Sequence, residues 1–387
     1  MVRLGDVCTI VSGSTPKSNI PEYWDGDIKW ITPAELNEGT YIINDSVRHI
    51  TELGVAKTGL KPFPQGTVIL SSRAPIGKTA IAGCEMYCNQ GFKNLICSDK
   101  INPRYLYWFL TCNTEYLNSL GRGATFKEIS KEIVANIEIP LPAMEQQINI
   151  AEKFEKISEL IALRKEQLAK LDQLVKSRFI ELFGTVKNNH QEYPVIKISG
   201  CAKLQGGFAF KSSDYLDNGI RLVQISNVNK DTLDWDSINC VPQTFLQKYK
   251  DFELHVGDLV LAMTRPVIKS LDAVKIATVS ENDVPSLLNQ RVGRFIIDKT
   301  KINSTYLMLC CQMTEFREYV EAMSGNSLQP NISSKQVEDY SIVLPPLELQ
   351  EQFSAFVQQA DKSKLAIQQS LDKLELLKKS LMQEYFG

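Results

Sequence analysis

The chain has 387 residues, 43% of them hydrophobic and 23% charged, which is room for two domains of ordinary size plus connectors and the composition of neither a disordered nor a membrane protein. Lys and Arg number 43 against 45 Asp and Glu, a net charge of −2, so the overall balance lacks the basic footprint of a nucleic-acid binder; such binding would need basic residues gathered on one face or charge supplied by partners. No apolar run approaches the ~20 residues that span a bilayer, and the first six residues do not begin a signal peptide, so a cytoplasmic location is expected.

Taken in order, the chain says the same thing twice. LGDVCTIVSGSTPKS at Leu4 is answered by ISGCAKLQGGFAFKS at Ile198, a short strand running into a Gly-containing turn. IKWITPAELN at Ile28 is answered by IRLVQISNVN at Ile220, a strand and a polar loop. GTVILSSRAPIGKTAIA at Gly66 is answered by GDLVLAMTRPVIKS at Gly257, a strand and an Arg-Pro loop. NQGFKNLI at Asn89 matches NQRVGRFII at Asn289, and NPRYLYWFL at Asn102 matches NSTYLMLCC at Asn303 with helical spacing. GATFKEISKEIVANIEIPLP then answers NSLQPNISSKQVEDYSIVLP. Ordered matches with drifting offsets mean one module duplicated with loop changes.

The repeat is tightest where it becomes helical. The stretches from Leu141 and Leu344 align without a gap at an offset of 203 residues, and both finish in Phe-Gly. In the first, Phe154, Ile161, Leu168, Val175 and Leu182 recur every seventh residue, with Ile157, Arg164, Leu171 and Arg178 as the companion register. In the second, the same positions are Val357, Lys364, Leu371, Lys378 and Tyr385, with Ala360, Ile367, Leu374 and Leu381. A 3.5-residue apolar repeat predicts a coiled coil. Arg164 and Arg178 face Ile367 and Leu381 in the alignment, while Ile161 and Val175 face Lys364 and Lys378; that reciprocity predicts that the helices pair with each other.

The expected fold is therefore α+β: two repeated globular domains with small sheets, separated by two long helices forming an antiparallel coiled coil. The expected boundaries are 1–142, 143–184, 185–345 and 346–387. Antiparallel pairing follows because the second helix must run back, which predicts a pseudo-two-fold arrangement with some 60 Å of helix as a ruler. The helical segments carry balanced charge, seven acidic and seven basic residues in 143–184 and six and five in 346–387, which suits protein or water better than phosphate.

Chemistry of its own is not evident. Nine scattered Cys read as buried free thiols; Cys84 and Cys88 have the wrong spacing for a zinc knuckle. His49, His190 and His255 stand apart, with no metal motif or nucleophile–base set. SRAPIGKTA ends like a P-loop, but Ser72 stands where the first Gly is needed and a strand pattern follows. What remains are polar loops whose side chains suit base edges and phosphates: Ser14, Thr15, Lys17, Thr32, Ser72, Arg73, Lys78, Asn89, Gln90 and Lys93 in the first copy. In the second they are Lys211, Gln224, Ser226, Asn227, Arg265, Lys269, Asn289, Gln290 and Arg291. The same residue types also build turns, so each of these positions has a purely structural reading beside the functional one.

These features together resemble the DNA specificity subunit of type I restriction–modification systems over the full length. The resemblance rests on SGSTPKSNIPEYWDGDIKWITPAEL at Ser12, SSRAPIGKTAIA at Ser71 and the twice-used LPxxExQ opening of a long helix; Ala143-Met144 departs slightly from the L-P-P-L form at Leu344. It implies two target-recognition domains, each reading half of a split sequence in double-stranded DNA, and helices that set the spacing and dock two methyltransferase subunits. It implies no cofactor on this chain, S-adenosylmethionine on the methyltransferase, and restriction endonuclease subunits as further partners. Gln205-Gly206-Gly207-Phe208-Ala209-Phe210 replaces Ser-Gly-Ser-Thr-Pro in the second copy, so the two domains are expected to read different bases. Alternatives from other classes are the recognition part of a fused restriction–methylation enzyme and a coiled-coil scaffold with no DNA role.

Overall fold

A computed structural model describes residues 1–37, 39–73, 75–123, 127–271, 273–324 and 330–387. The ends of the matched segments at Gly123 and Asn326 fall partly outside these residues. By contact the chain divides into two compact units, one of Met1–Glu166 with Gln368–Gly387, the other of Gln167–Ile367.

In the first unit a five-stranded sheet has the order Cys8–Val11, Asn94–Cys97, Val68–Leu70, Thr79–Ala82, Ile42–Ile43. Its central strand is apolar throughout because both faces are covered. Val68 and Leu70 point into one core with Leu95, Tyr105 and Leu106, while Ile69 points into another with Ile31, Phe63 and Phe92. That is the two-residue period of a strand buried on both sides. A second sheet orders Arg48–Ile50, Trp24–Ile31 and Tyr87–Cys88, the last pair parallel. The helix Pro103–Cys112 starts where the Asn102 side chain accepts from the amides of Arg104 and Tyr105, with Pro at the first helical position.

The second unit repeats this plan. Ala202–Gly206, Val292–Ile297, Leu259–Ala262 and Ile276–Thr278 form the larger sheet, and Cys240–Val241, Ile220–Val223 and Ser286–Leu288 the smaller, again with one parallel pair. Leu259 and Leu261 face one core and Val260 and Ala262 the other. Asn303 caps Ser304–Gln312 as Asn102 caps its counterpart.

The long helices are Met144–Phe183 and Leu347–Phe386, 40 residues each. Within each unit their segments run antiparallel. In the first, Lys153 meets the Tyr385 hydroxyl (3.0 Å) and Lys165 meets Glu375 (3.2 Å), so one index rises as the other falls. In the second, Asp172 pairs with Lys364 (2.6 Å) and Phe179 packs on Phe353. Phe154, Ile157, Val357 and Leu371 are buried, whereas Ile161, Arg164, Leu168, Ile367, Leu374, Leu381 and Lys364 are half-buried. Two registers end differently from the strict heptad. Arg178 lies outside the seam, exposed and paired with Glu181 of its own helix, because Val175, Phe179 and Phe183 step by four and turn into the globular core. Lys378 stays near the seam by laying its ammonium over the Trp108 ring at 5.1 Å, its pKa lowered by burial.

The Gln that closes each LPxxExQ motif has a role inside the fold. Gln147 Oε1 accepts from the Asn102 amide (2.8 Å), and Nε2 donates to the carbonyls of Lys100 and Pro142 (3.1 and 2.9 Å). Gln350 does the same with the Asn303 amide and the carbonyls of Lys301 and Pro345 (2.9, 3.2 and 2.8 Å). Each side chain ties the start of a long helix to the start of the capped helix beneath it.

Among the described residues, a further anchor belongs to the first unit alone. Glu155 accepts from Arg104 through both carboxylate oxygens and from the Tyr41 hydroxyl. Burial raises the Glu155 pKa, but the hydrogen bonds from Arg104 and Tyr41 and the guanidinium charge prevail and hold it below the usual value. A depressed carboxylate contributes stability above the unfolded pKa of ~4.3 and loses it as pH falls through the folded one. Glu155→Gln is therefore expected to cost about 1.5–3 kcal/mol at pH 7, with the deficit shrinking as the pH is lowered below 4. Urea unfolding at both pH values checks it; an equal deficit at each would contradict an ionic anchor.

All nine cysteines are free thiols. No helix among the described residues is long and apolar enough to cross a membrane.

Candidate nucleic-acid interface

In the first unit four loops converge. The Ser14 amide donates to Cys88 O (3.0 Å) and Ser14 O accepts from the Trp30 indole (3.0 Å). The Thr15 hydroxyl meets Gln90 Oε1 at 2.5 Å, the Asn89 amide donates to Ile31 O, and the Ser72 amide to Gly91 O. Lys78 Nζ reaches Pro33 O at 3.2 Å. Loop segments 12–17, 32–35, 71–73, 75–78 and 88–93 are thus one cluster at the ends of the two sheets.

Within the cluster, several candidates spend their side chains on the loops themselves. Thr32 forms a capping box with Glu35, and Asn89 Oδ1 accepts from the Gly91 amide (2.8 Å). Ser72 is fully buried, and the buried Lys93 ammonium lies between its hydroxyl (3.2 Å) and Glu128 (3.0 Å). The strand Thr79–Ala82 follows Lys78 where a P-loop requires a helix, and the Lys78 amide is held by Ser71 Oγ (2.8 Å). Thr15, Lys17 and Gln90 are exposed, and Ser14, Arg73 and Lys78 are half-exposed.

The second unit gathers the equivalent loops with different contents. Phe208 and Gln290 bond through Phe208 O (2.8 Å), the Asn289 amide donates to Val223 O, and the Met263 amide to Arg291 O (2.7 Å). Asn227 is an internal staple: its amide nitrogen donates to Asp234 O and Ser237 O, and its oxygen accepts from the Gln224 amide. Asn289 is buried and turns to the Tyr215 hydroxyl (3.3 Å), which Gln224 also reaches (3.2 Å) while accepting from Asn239 (2.7 Å). Lys211, Ser226, Arg265, Lys269, Gln290 and Arg291 are exposed. Lys275, outside the sequence-derived set, sits in the same cluster with its ammonium half-buried. Burial lowers its pKa first, and the Arg265 charge lowers it further. No carboxylate pairs with Lys17, Arg73, Lys78, Lys211, Arg265, Lys269, Lys275 or Arg291 among the described residues. So a chain of nearly neutral total charge still shows uncompensated cations at these loops.

Tyr215, Asn239 and Lys275 join the cluster from outside the matched motifs. The signal for Lys275 was a lone cation in the apolar run AVKIATV.

A family model described as the type I restriction modification DNA specificity domain matches residues 1–173 and again 190–377. The MjaIX type I restriction enzyme specificity subunit of Methanocaldococcus jannaschii is 32% identical over 378 residues, covering 92% of this chain and 85% of that one. The MjaVIII specificity subunit of the same organism is 27% identical over 396 residues, covering 99% and 90%. In fold, the chain resembles the crystal structure of the S subunit from M. genitalium (TM-score 0.61, 13% identity, covering 100% of this chain and 95% of that one). It also resembles a chain from a structural study of complex assembly and conformational transition in the type I R-M system (TM-score 0.62, 18% identity, 100% and 96%). The molecule is a DNA-recognition protein made by duplication, not an enzyme. It belongs to the DNA specificity subunits of type I restriction–modification systems.

Proposed function

We propose that each unit reads one half of a bipartite DNA target and that the paired helices set the distance between the halves while docking two methyltransferase subunits. The observation that carries this reading is the repeated plan with partly unlike loops: matching sheets and caps present Thr15 and Gly91 in one copy where the other has Ala209 and Arg291, while Lys17 and Gln90 keep their counterparts Lys211 and Gln290. A duplicated scaffold with divergent loops suits two different half-sites. Docking on the helices is supported by leucines left in solvent there: Leu163, Leu376 and Leu377 in the first unit, Leu174 and Leu365 in the second. The site-presenting residues and the expected domain boundaries at 142, 184 and 345 are part of this proposal. S-adenosylmethionine would be bound by the methyltransferase, which would methylate adenine N6; endonuclease subunits would join for restriction, and the assembly would work in the cytoplasm.

The test is to map N6-methyladenine in DNA from cells carrying the methyltransferase with and without this chain. A split motif that depends on this chain, with one methylated adenine on each strand, is the expected result. A contiguous motif, or methylation indifferent to the chain, would overturn the reading.

A further inference from the structure

Two of the five non-glycine residues with positive φ among those described are arginines of the second unit's loop cluster, Arg265 (48°) and Arg291 (67°). A long side chain in the left-handed region is an outlier that costs free energy, and such outliers persist where the surroundings enforce them. Here they do. The Met263 amide holds Arg291 O at 2.7 Å, the Arg265 amide is held by Pro330 O at 2.8 Å, and between them Thr264 bonds Asn331 at 2.5 Å. The Lys275 amide reaches Pro266 O and the Ala262 amide reaches Lys275 O, which fixes a third cation beside Arg265. The first unit solves the same place differently: aligned with Arg291 is Gly91, which is not in the left-handed region, and the nearby Lys93 is neutralised by Glu128.

We propose that Arg265 and Arg291 are the specificity-determining residues of the second unit and that they read guanine in its half-site. This deepens the bipartite reading above and rests on it. A phosphate contact tolerates slack, because a flexible Lys or Arg on ordinary backbone reaches a phosphate as well. A bidentate contact to guanine O6 and N7 depends on where the guanidinium fork starts from, and the fixed backbone sets the direction in which each Cα–Cβ bond leaves the loop, narrowing where the fork can reach. The absence of carboxylate partners for both arginines among the described residues leaves their forks open. Lys275 adds positive potential beside Arg265.

The test uses the full chain assembled with its methyltransferase, selected against DNA in which the second half-site is randomised. Arg291→Gly copies the first unit, relieves the left-handed strain and removes the fork; Arg291→Lys keeps the charge and removes only the fork. Both are expected to lower the preference for guanine at one position of the second half-site roughly 10- to 100-fold, with the first half-site read as before. Arg291→Gly is further expected to melt no lower than the parent. An unchanged base preference overturns the proposal. So does uniform weakening on all sequences with a salt slope reduced by about one, the signature of a phosphate contact. If the parent complex selects no split motif, the bipartite reading itself fails, a result distinct from either.

Discussion

Phe183→Ala is expected to destabilise the second unit by about 3–5 kcal/mol while leaving the first folded. Phe183 is wholly buried, with ring centroids 4.9 Å from Tyr306, 5.2 Å from Phe179 and 5.3 Å from Phe353. Truncation removes the transfer energy of a large side chain and three edge-to-face contacts, each worth roughly 0.5–1.5 kcal/mol beyond area. Against a domain stability on the order of 5–15 kcal/mol the loss is large. The unit's core draws on one segment of each long helix, Val175 to Phe183 and Phe353 to Ala360, so the damage should spread through 167–367. Calorimetry should show one early transition, and hydrogen exchange should place the lost protection in those residues. Leu174→Ala, at a half-exposed position on the same helix, is the control and should change stability by no more than about 0.5 kcal/mol. A loss shared equally by both units would mean that they do not unfold separately.

The duplication was legible because its strongest parts obey local rules. Asn102 and Asn303 announce helix starts by capping chemistry, and VIL at Val68 and LVLA at Leu259 announce strands covered on both faces. The heptads were legible too, but only as far as the helices face each other. Sequence periodicity cannot tell a helix partner from a sheet: it does not single out Phe179, Phe183 and Phe386 as core residues, and it puts Arg178 at a seam position that the four-residue step of its neighbours denies it. The loops were legible as a set and not residue by residue. Asn, Gln, Ser and Thr make base contacts and Asx-type turns with the same atoms. Nothing in NVN at Asn227 reveals that its amide is spent on Asp234 and Ser237, and nothing in SSR at Ser71 reveals that Ser72 is buried beside Lys93. The parallel pairing of Trp24–Ile31 with Tyr87–Cys88 joins residues far apart in sequence, and no local signal encodes it.

The repeated LPxxExQ motif is expected to act within the fold and to fail a docking test. Gln147→Ala and Gln350→Ala should each cost roughly 2–4 kcal/mol in urea unfolding, because each removes three hydrogen bonds and strands a buried amide and two carbonyls. Gln147 is 1% exposed and Gln350 is not exposed at all, so neither side chain is available to another protein. If the Gln served a methyltransferase, the substitution would leave unfolding unchanged and weaken only the complex. If it serves the fold, both variants should lose stability by similar amounts, since both make the same three bonds at matching distances. Gln→Glu separates the two roles of the amide. It keeps an acceptor for the Asn102 or Asn303 amide but puts a carboxylate against two carbonyl oxygens, so it should destabilise at pH 7 and recover part of the loss once protonation at low pH restores a donor. Recovery of that kind would tie the repeated Gln to its two carbonyls, and with them to the junction between each long helix and the domain it closes.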